Sequence, residues 1–94
     1  MVTRIAHRIF KLAAWQSGMP IDSLSETTDL DSLARNPEDF WWFIYYVERK
    51  WDIVIPEQDE LSLETLGDLI SYVQEAIEKR RVARVKQPHN PVAV

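Results

Sequence analysis

A chain of 94 residues supports one domain with one core, and 46% apolar residues, ten aromatics among them, supply enough burial to fold without staples. The absence of cysteine excludes a disulfide framework, thiolate catalysis and a thiolate metal site. The net charge of -4 conceals a partition: residues 1–17 carry three bases and no acid, residues 18–78 hold all fifteen acids against three bases, and residues 79–94 carry five bases. An acidic body of this kind repels nucleic acid and favours basic protein partners, unless the charge only solvates the surface.

The opening run MVTRIAHRIFKLAAW is broken by Arg4, Arg8 and Lys11 and lacks the apolar core of a signal peptide. No segment approaches the roughly 18 uninterrupted apolar residues of a membrane span. The expectation is a soluble cytoplasmic domain. Its first helix runs from about Thr3 to Ser17, with Thr3 as cap and Gly18 and Pro20 as stops. Ile5, Ile9, Leu12 and Ala13 form its apolar stripe. The polar segment from Pro20 to Arg35 is too long to float, and Ile21, Leu24, Leu30 and Leu33 are its expected inward anchors.

Asn36-Pro37-Glu38-Asp39 is a helix start: a good N-cap, proline at the first helical position, and two acids at the positive end of the dipole. The second helix continues to Lys50 or Trp51. Ile53-Val54-Ile55 reads as a loop anchor closed by Pro56, and a brief helical turn fits before Glu60. The last helix is expected to begin around Leu61-Ser62-Leu63-Glu64 with Ser62 as cap. Leu66, Leu69, Ile70, Val73 and Ile77 form its buried stripe, and it frays through EKRRVARVK. There is no strand-like alternation, so the fold class is all-α: a helical domain over residues 1–84, then a disordered tail over residues 85–94 with two prolines and no periodicity.

The order of these pieces resembles an acyl carrier protein. The matching residues are Tyr46-Val47-Glu48-Arg49-Lys50-Trp51-Asp52-Ile53-Val54-Ile55-Pro56, and then Thr65-Leu66-Gly67-Asp68-Leu69-Ile70-Ser71-Tyr72-Val73, within a likeness covering Ile5 to Ile77. The resemblance implies a small four-helix bundle with a long loop between helices one and two. It also implies a serine bearing 4'-phosphopantetheine at the start of the second helix, nineteen residues before the proline that matches Pro56; that position here is Pro37. Asp31-Ser32-Leu33 imitates the attachment motif but lies twenty-four residues before Pro56. Pro37 offers neither a hydroxyl nor an N–H, whereas an attachment serine needs an exposed hydroxyl at a helix N-terminus. The sequence is therefore similar to relatives that keep the bundle and have lost the serine; the alternatives are a working carrier modified on Ser32 or another exposed hydroxyl, and a helical module unrelated to carriers.

The second helix is crowded with aromatics. At about 100° per residue, Phe40, Phe43, Ile44, Val47 and Trp51 share the core face. Trp42, Tyr45 and Arg49 lie opposite, with Trp41 and Tyr46 at the boundaries. Tyrosine, tryptophan and arginine dominate interface hot spots, and a soluble monomer seldom leaves such a patch bare. In carriers the same helix is the surface that partner enzymes recognise, so the resemblance points to the same face. The competing expectation is that the loop from Pro20 to Arg35 folds over Trp41 and Tyr46, leaving only Trp42 exposed.

Glu57, Asp59, Glu60 and Glu64 lack the spacing and glycine turn of a calcium loop and read as a solvated acidic cluster. His7 and His89 have no neighbours suited to a metal site or catalytic dyad. With only Gly18 and Gly67, the chain has no phosphate-binding glycine loop or nucleophile elbow. The expected function is non-catalytic: binding of a protein partner, or of a second copy, through Trp41, Trp42, Tyr45, Tyr46 and Arg49, without cofactor or metal.

Overall fold

The computed structural model describes residues 3–86, with side chains described to residue 82. These residues form an all-α fold of four helices, α1 (Arg4–Ser17), α2 (Pro37–Trp51), α3 (Glu57–Glu60) and α4 (Leu66–Lys86). α4 continues helically through the basic stretch to Lys86; residues 87–94 of the expected tail lie outside the described residues. No described helix is long and apolar enough to cross a membrane.

The first helix starts where the Thr3 hydroxyl accepts the Ala6 N–H at 3.0 Å. It ends at Gly18, whose φ of 77° is the left-handed conformation that glycine adopts without a Cβ clash. Ala6, Ile9 and Ala13 are buried, with Ile5 and Leu12 packed at the edge of the core. The segment between α1 and α2 carries two short 3₁₀ turns, Ile21–Ser23 and Leu30–Leu33. Leu30 and Leu33 are buried anchors and Leu24 packs partly against the core. Ile21 is not an anchor: it is exposed, although its turn lies beside α1.

That segment is bonded to the start of α4 through its backbone. Leu30 donates to the Glu64 carbonyl at 2.8 Å, Leu66 to Thr28 at 2.9 Å, and Gly67 to Glu26 at 2.8 Å. Asp29 and Thr65 form an isolated β-bridge at the same place. A Cβ on Gly67 would stand 2.9 Å from the Glu26 carbonyl oxygen, so glycine permits this approach.

The second helix is capped by the Asn36 side chain, which accepts the Asp39 N–H at 2.9 Å, while the Asp39 carboxylate accepts the Arg35 N–H at 3.1 Å. It closes on Asp52 at φ 55°, a left-handed conformation that aspartate tolerates better than most residues. Arg80 reaches across from α4 and donates to the carbonyls of Asp52 and Trp51 at 2.7 and 3.2 Å, placing a cation at the negative end of the α2 dipole. The Glu48 carboxylate accepts the Ile55 N–H at 2.8 Å and so holds the turn that buries Ile55.

The last helix begins later than Ser62. Thr65 is its cap: its hydroxyl accepts the Asp68 N–H at 3.1 Å, and the Asp68 carboxylate accepts the N–H groups of Glu64 and Thr65 at 3.0 and 3.2 Å. This reciprocal capping box outcompetes Ser62, whose hydroxyl instead donates to the Asp59 carbonyl at 2.6 Å and closes α3. The two backbone donors, Glu64 first, hold the Asp68 carboxyl below the usual carboxylate range. The Tyr72 hydroxyl of α4 donates to the Asp59 carboxylate at 2.7 Å, tying α3 to α4. Burial, then this bond and the charges of Asp59 and Glu48, push the phenol up to about 12.

Leu66, Leu69, Ile70 and Val73 of α4 and Phe43, Ile44 and Val47 of α2 meet the buried face of α1 in one core. Phe40 and Trp51 lie partly buried at its edge, and Ile77 extends it. Val47 is fully buried. Val47→Ala should lower the unfolding free energy by about 1–3 kcal/mol through lost contacts and a residual void, as read by denaturant titration. Gly67→Ala should destabilise the fold by about 1–2 kcal/mol despite alanine's better helix propensity, because the clashing atom is backbone. A stabilised alanine variant would show that residues 26–30 are free to withdraw from α4.

Candidate functional site

The side of α2 turned away from the core carries a connected set of aromatic rings. Trp41, Trp42 and Tyr45 are exposed at 55%, 42% and 36%, Arg49 is exposed, and Tyr46 is half-buried. Their spacing of three and four residues brings them into contact along the helix. Trp41 and Tyr45 stack nearly parallel, with ring centroids 5.7 Å apart and planes at 7°. Trp42 stands edge-on to Trp41 at 4.9 Å and to Tyr45 at 5.7 Å, and lies over Tyr46 at 5.8 Å. The Arg49 guanidinium is 5.9 Å from the Tyr45 ring centroid, within reach of a cation–π contact. All five residues singled out in the sequence are thus brought together on one helix.

The segment between α1 and α2 does not cover them. The half-buried Tyr46 also meets Trp15, near the end of α1, edge-on with ring centroids 5.5 Å apart. Trp15 is itself 67% exposed and extends the aromatic surface onto a second helix. Trp15 lies outside the apolar stripe that marks the buried face of α1. The available signal was a tryptophan on the same side of α1 as Arg4, Arg8 and Lys11, away from the apolar stripe.

One cleft borders this ridge and a second lies further along α2, toward its C-terminal end. Between α2 and α3, a cleft of about 340 Å³ is lined by Trp41, Ile44, Tyr45, Glu48, Glu57 and Glu60. Burial first, then the neighbouring charges of Glu48 and Glu57, raises the Glu60 carboxyl above its ordinary value. Between α1 and α2, a cleft of about 380 Å³ is lined by Arg8, Lys11, Leu12 and Lys50. At the edge of the core, a small depression of about 10 Å³ lies among Ala13, Leu30, Leu33, Phe40 and Phe43, room for no more than about one water-sized probe. Among the described residues, no group of three or more histidines and carboxylates is arranged to hold a metal ion.

Ser32 lies apart from this surface, in the 3₁₀ turn Leu30–Leu33. Its exposed hydroxyl donates to the Asp29 carbonyl at 2.7 Å. Pro37, not a serine, occupies the first position of α2, and the free N–H of Asp39 is taken by Asn36. No protein-family model matches the chain.

If the exposed rings serve a surface rather than the core, Trp42→Ala and Tyr45→Ala should each cost only the ring contacts they lose, about 0.5–1.5 kcal/mol, and leave the domain folded with an unchanged far-ultraviolet circular dichroism spectrum. Unfolding by Trp42→Ala would place that ring in the core.

Proposed function

We propose that this chain is a non-catalytic, acyl-carrier-protein-like interaction domain that lacks the phosphopantetheine-attachment serine and binds a protein partner through α2. The observation that carries the reading is the exposed aromatic ridge of Trp41, Trp42 and Tyr45 beside Arg49. Such side chains cost free energy when left in water and contribute most when desolvated at the centre of an interface. The half-buried Tyr46 and the exposed Trp15 widen the platform. The position of Pro37 at the start of α2, with Ser32 five residues upstream in a separate turn, supports loss of the carrier role. The capping bonds of Asn36 and Asp39 give that helix end a protein-made partner where a carrier would hold a phosphodiester.

Photoreactive benzoylphenylalanine at position 45, irradiated in cells, should give a covalent adduct with a protein, and the same residue at position 75, exposed on α4, should not. Adding Trp42→Ala should remove the adduct, since losing a central aromatic anchor commonly costs about 2 kcal/mol or more, roughly thirtyfold in affinity. Co-expression with a broad-specificity phosphopantetheinyl transferase should leave the intact mass unchanged. A mass gain of one phosphopantetheine arm, mapped to Ser32, would overturn the reading in favour of a working carrier.

A further inference from the structure

The two long borders of the aromatic ridge carry opposite charge. Successive helical residues stand about 100° apart, so Glu48 and Lys50 fall on opposite sides of the stripe made by Trp41, Trp42, Tyr45 and Tyr46. On the Glu48 side, the acidic border continues across the cleft to Glu57 and Glu60 of α3. On the Lys50 side, the basic border continues to Arg8 and Lys11 of α1. Glu48, Glu57 and Glu60 flank the ridge on one side, Lys50 with Arg8 and Lys11 lies on the other toward the C-terminal end of α2, and Arg49 stands on the ridge itself.

This antisymmetry about the α2 axis selects a partner. A uniformly basic or acidic surface would match one border and be repelled by the other. A second copy of the chain satisfies both, provided the symmetry axis is suitably placed. A twofold axis in the interface and parallel to α2 sets the acidic border of each copy against the basic border of its mate. A twofold axis across α2 would oppose acid to acid and base to base. We propose that α2 is the interface of a twofold homodimer in which the two α2 helices run parallel, their rings interleaved and their charged borders crossed. The inference rests on the protein-binding reading of α2 and names its partner.

The dimensions agree with a role for both rings and charges. The exposed parts of Trp15, Trp41, Trp42 and Tyr45 amount to roughly 400 Å² at about 150–250 Å² per ring. That is about half of the ~800 Å² that each member of a stable complex buries, and the charged borders extend the contact toward that size. Crossed borders at a symmetric interface also make every attraction occur twice.

The test is analytical ultracentrifugation of the full chain from micromolar to near-millimolar concentration, at low and at high ionic strength. The expected result is a concentration-dependent dimer that weakens as salt screens the borders. Trp42→Ala should weaken it roughly thirtyfold. Lys50→Glu and Glu57→Lys, both at exposed positions, should each weaken the homodimer about tenfold or more. Mixed in equal amounts, these two variants should form a heterodimer tighter than either homodimer, because the altered borders then oppose one another. Circular dichroism checks that each variant is folded. A dimer strengthened by salt or by either charge reversal would overturn the parallel arrangement, and one indifferent to Trp42→Ala would overturn the interface. A wild-type chain monomeric at every concentration would remove the second copy. If cross-linking at position 45 still captured a different protein, the binding role of α2 would stand without the homodimer, and loss of both results would remove both.

Discussion

The backbone bonds joining residues 26–30 to the first turn of α4 are the constraint on which the rest of the molecule depends. Three N–H···O=C contacts of 2.8–2.9 Å commit a long polar segment to one end of one helix. They turn a connection that would be entropically expensive to order into a structured strap. Leu30 and Leu33 are delivered into the core as a result, and the chain reaches Asn36 in position to start α2. Gly67 is required at the crossing point, since any side chain there meets the Glu26 carbonyl.

The same commitment leaves the outer side of α2 open. A segment whose backbone is bonded along the start of α4 does not lie over Trp41 and Trp42. The helix therefore buries Phe43, Ile44 and Val47 on one side and leaves a ridge of rings on the other. The rings satisfy one another through stacked and edge-on contacts, which orders the ridge without covering it. An ordered aromatic surface loses little side-chain entropy on binding, which favours a rigid contact over an adaptable one.

Electrostatics supplies direction where the rings supply area. The acids of α3 and the bases of α1 come from distant parts of the chain, and the placement of α1 and α3 on either side of α2 turns a charge partition along the sequence into two borders. Glu48 serves both roles: its carboxylate holds the Ile55 N–H, and its charge adds to the burial that raises the Glu60 carboxyl. The proposed relation to carrier proteins and the proposed parallel dimer both place function on α2, the first by motif order and the second by charge distribution.

Local signals determined most of the secondary structure. Thr3, Asn36-Pro37 and Gly18 marked helix ends because capping is decided by a few adjacent residues, and the 3.6-residue period of Ile9, Val47, Leu69 and Val73 marked the core. The same period placed Trp41, Trp42, Tyr45, Tyr46 and Arg49 outside that core. Where two caps competed, sequence alone chose wrongly: Ser62 and Thr65 are both plausible, and only the reciprocal bond from Asp68 and the strap at residues 26–30 selected Thr65. Ile21, apolar in sequence, is exposed in the fold, because an isolated apolar residue in a turn carries no period that fixes which way it faces. The contact of Tyr46 with Trp15 and the charged borders of α2 were beyond any local pattern. They arise from contacts between helices far apart in sequence, and only tertiary packing decides which helix lies on which side.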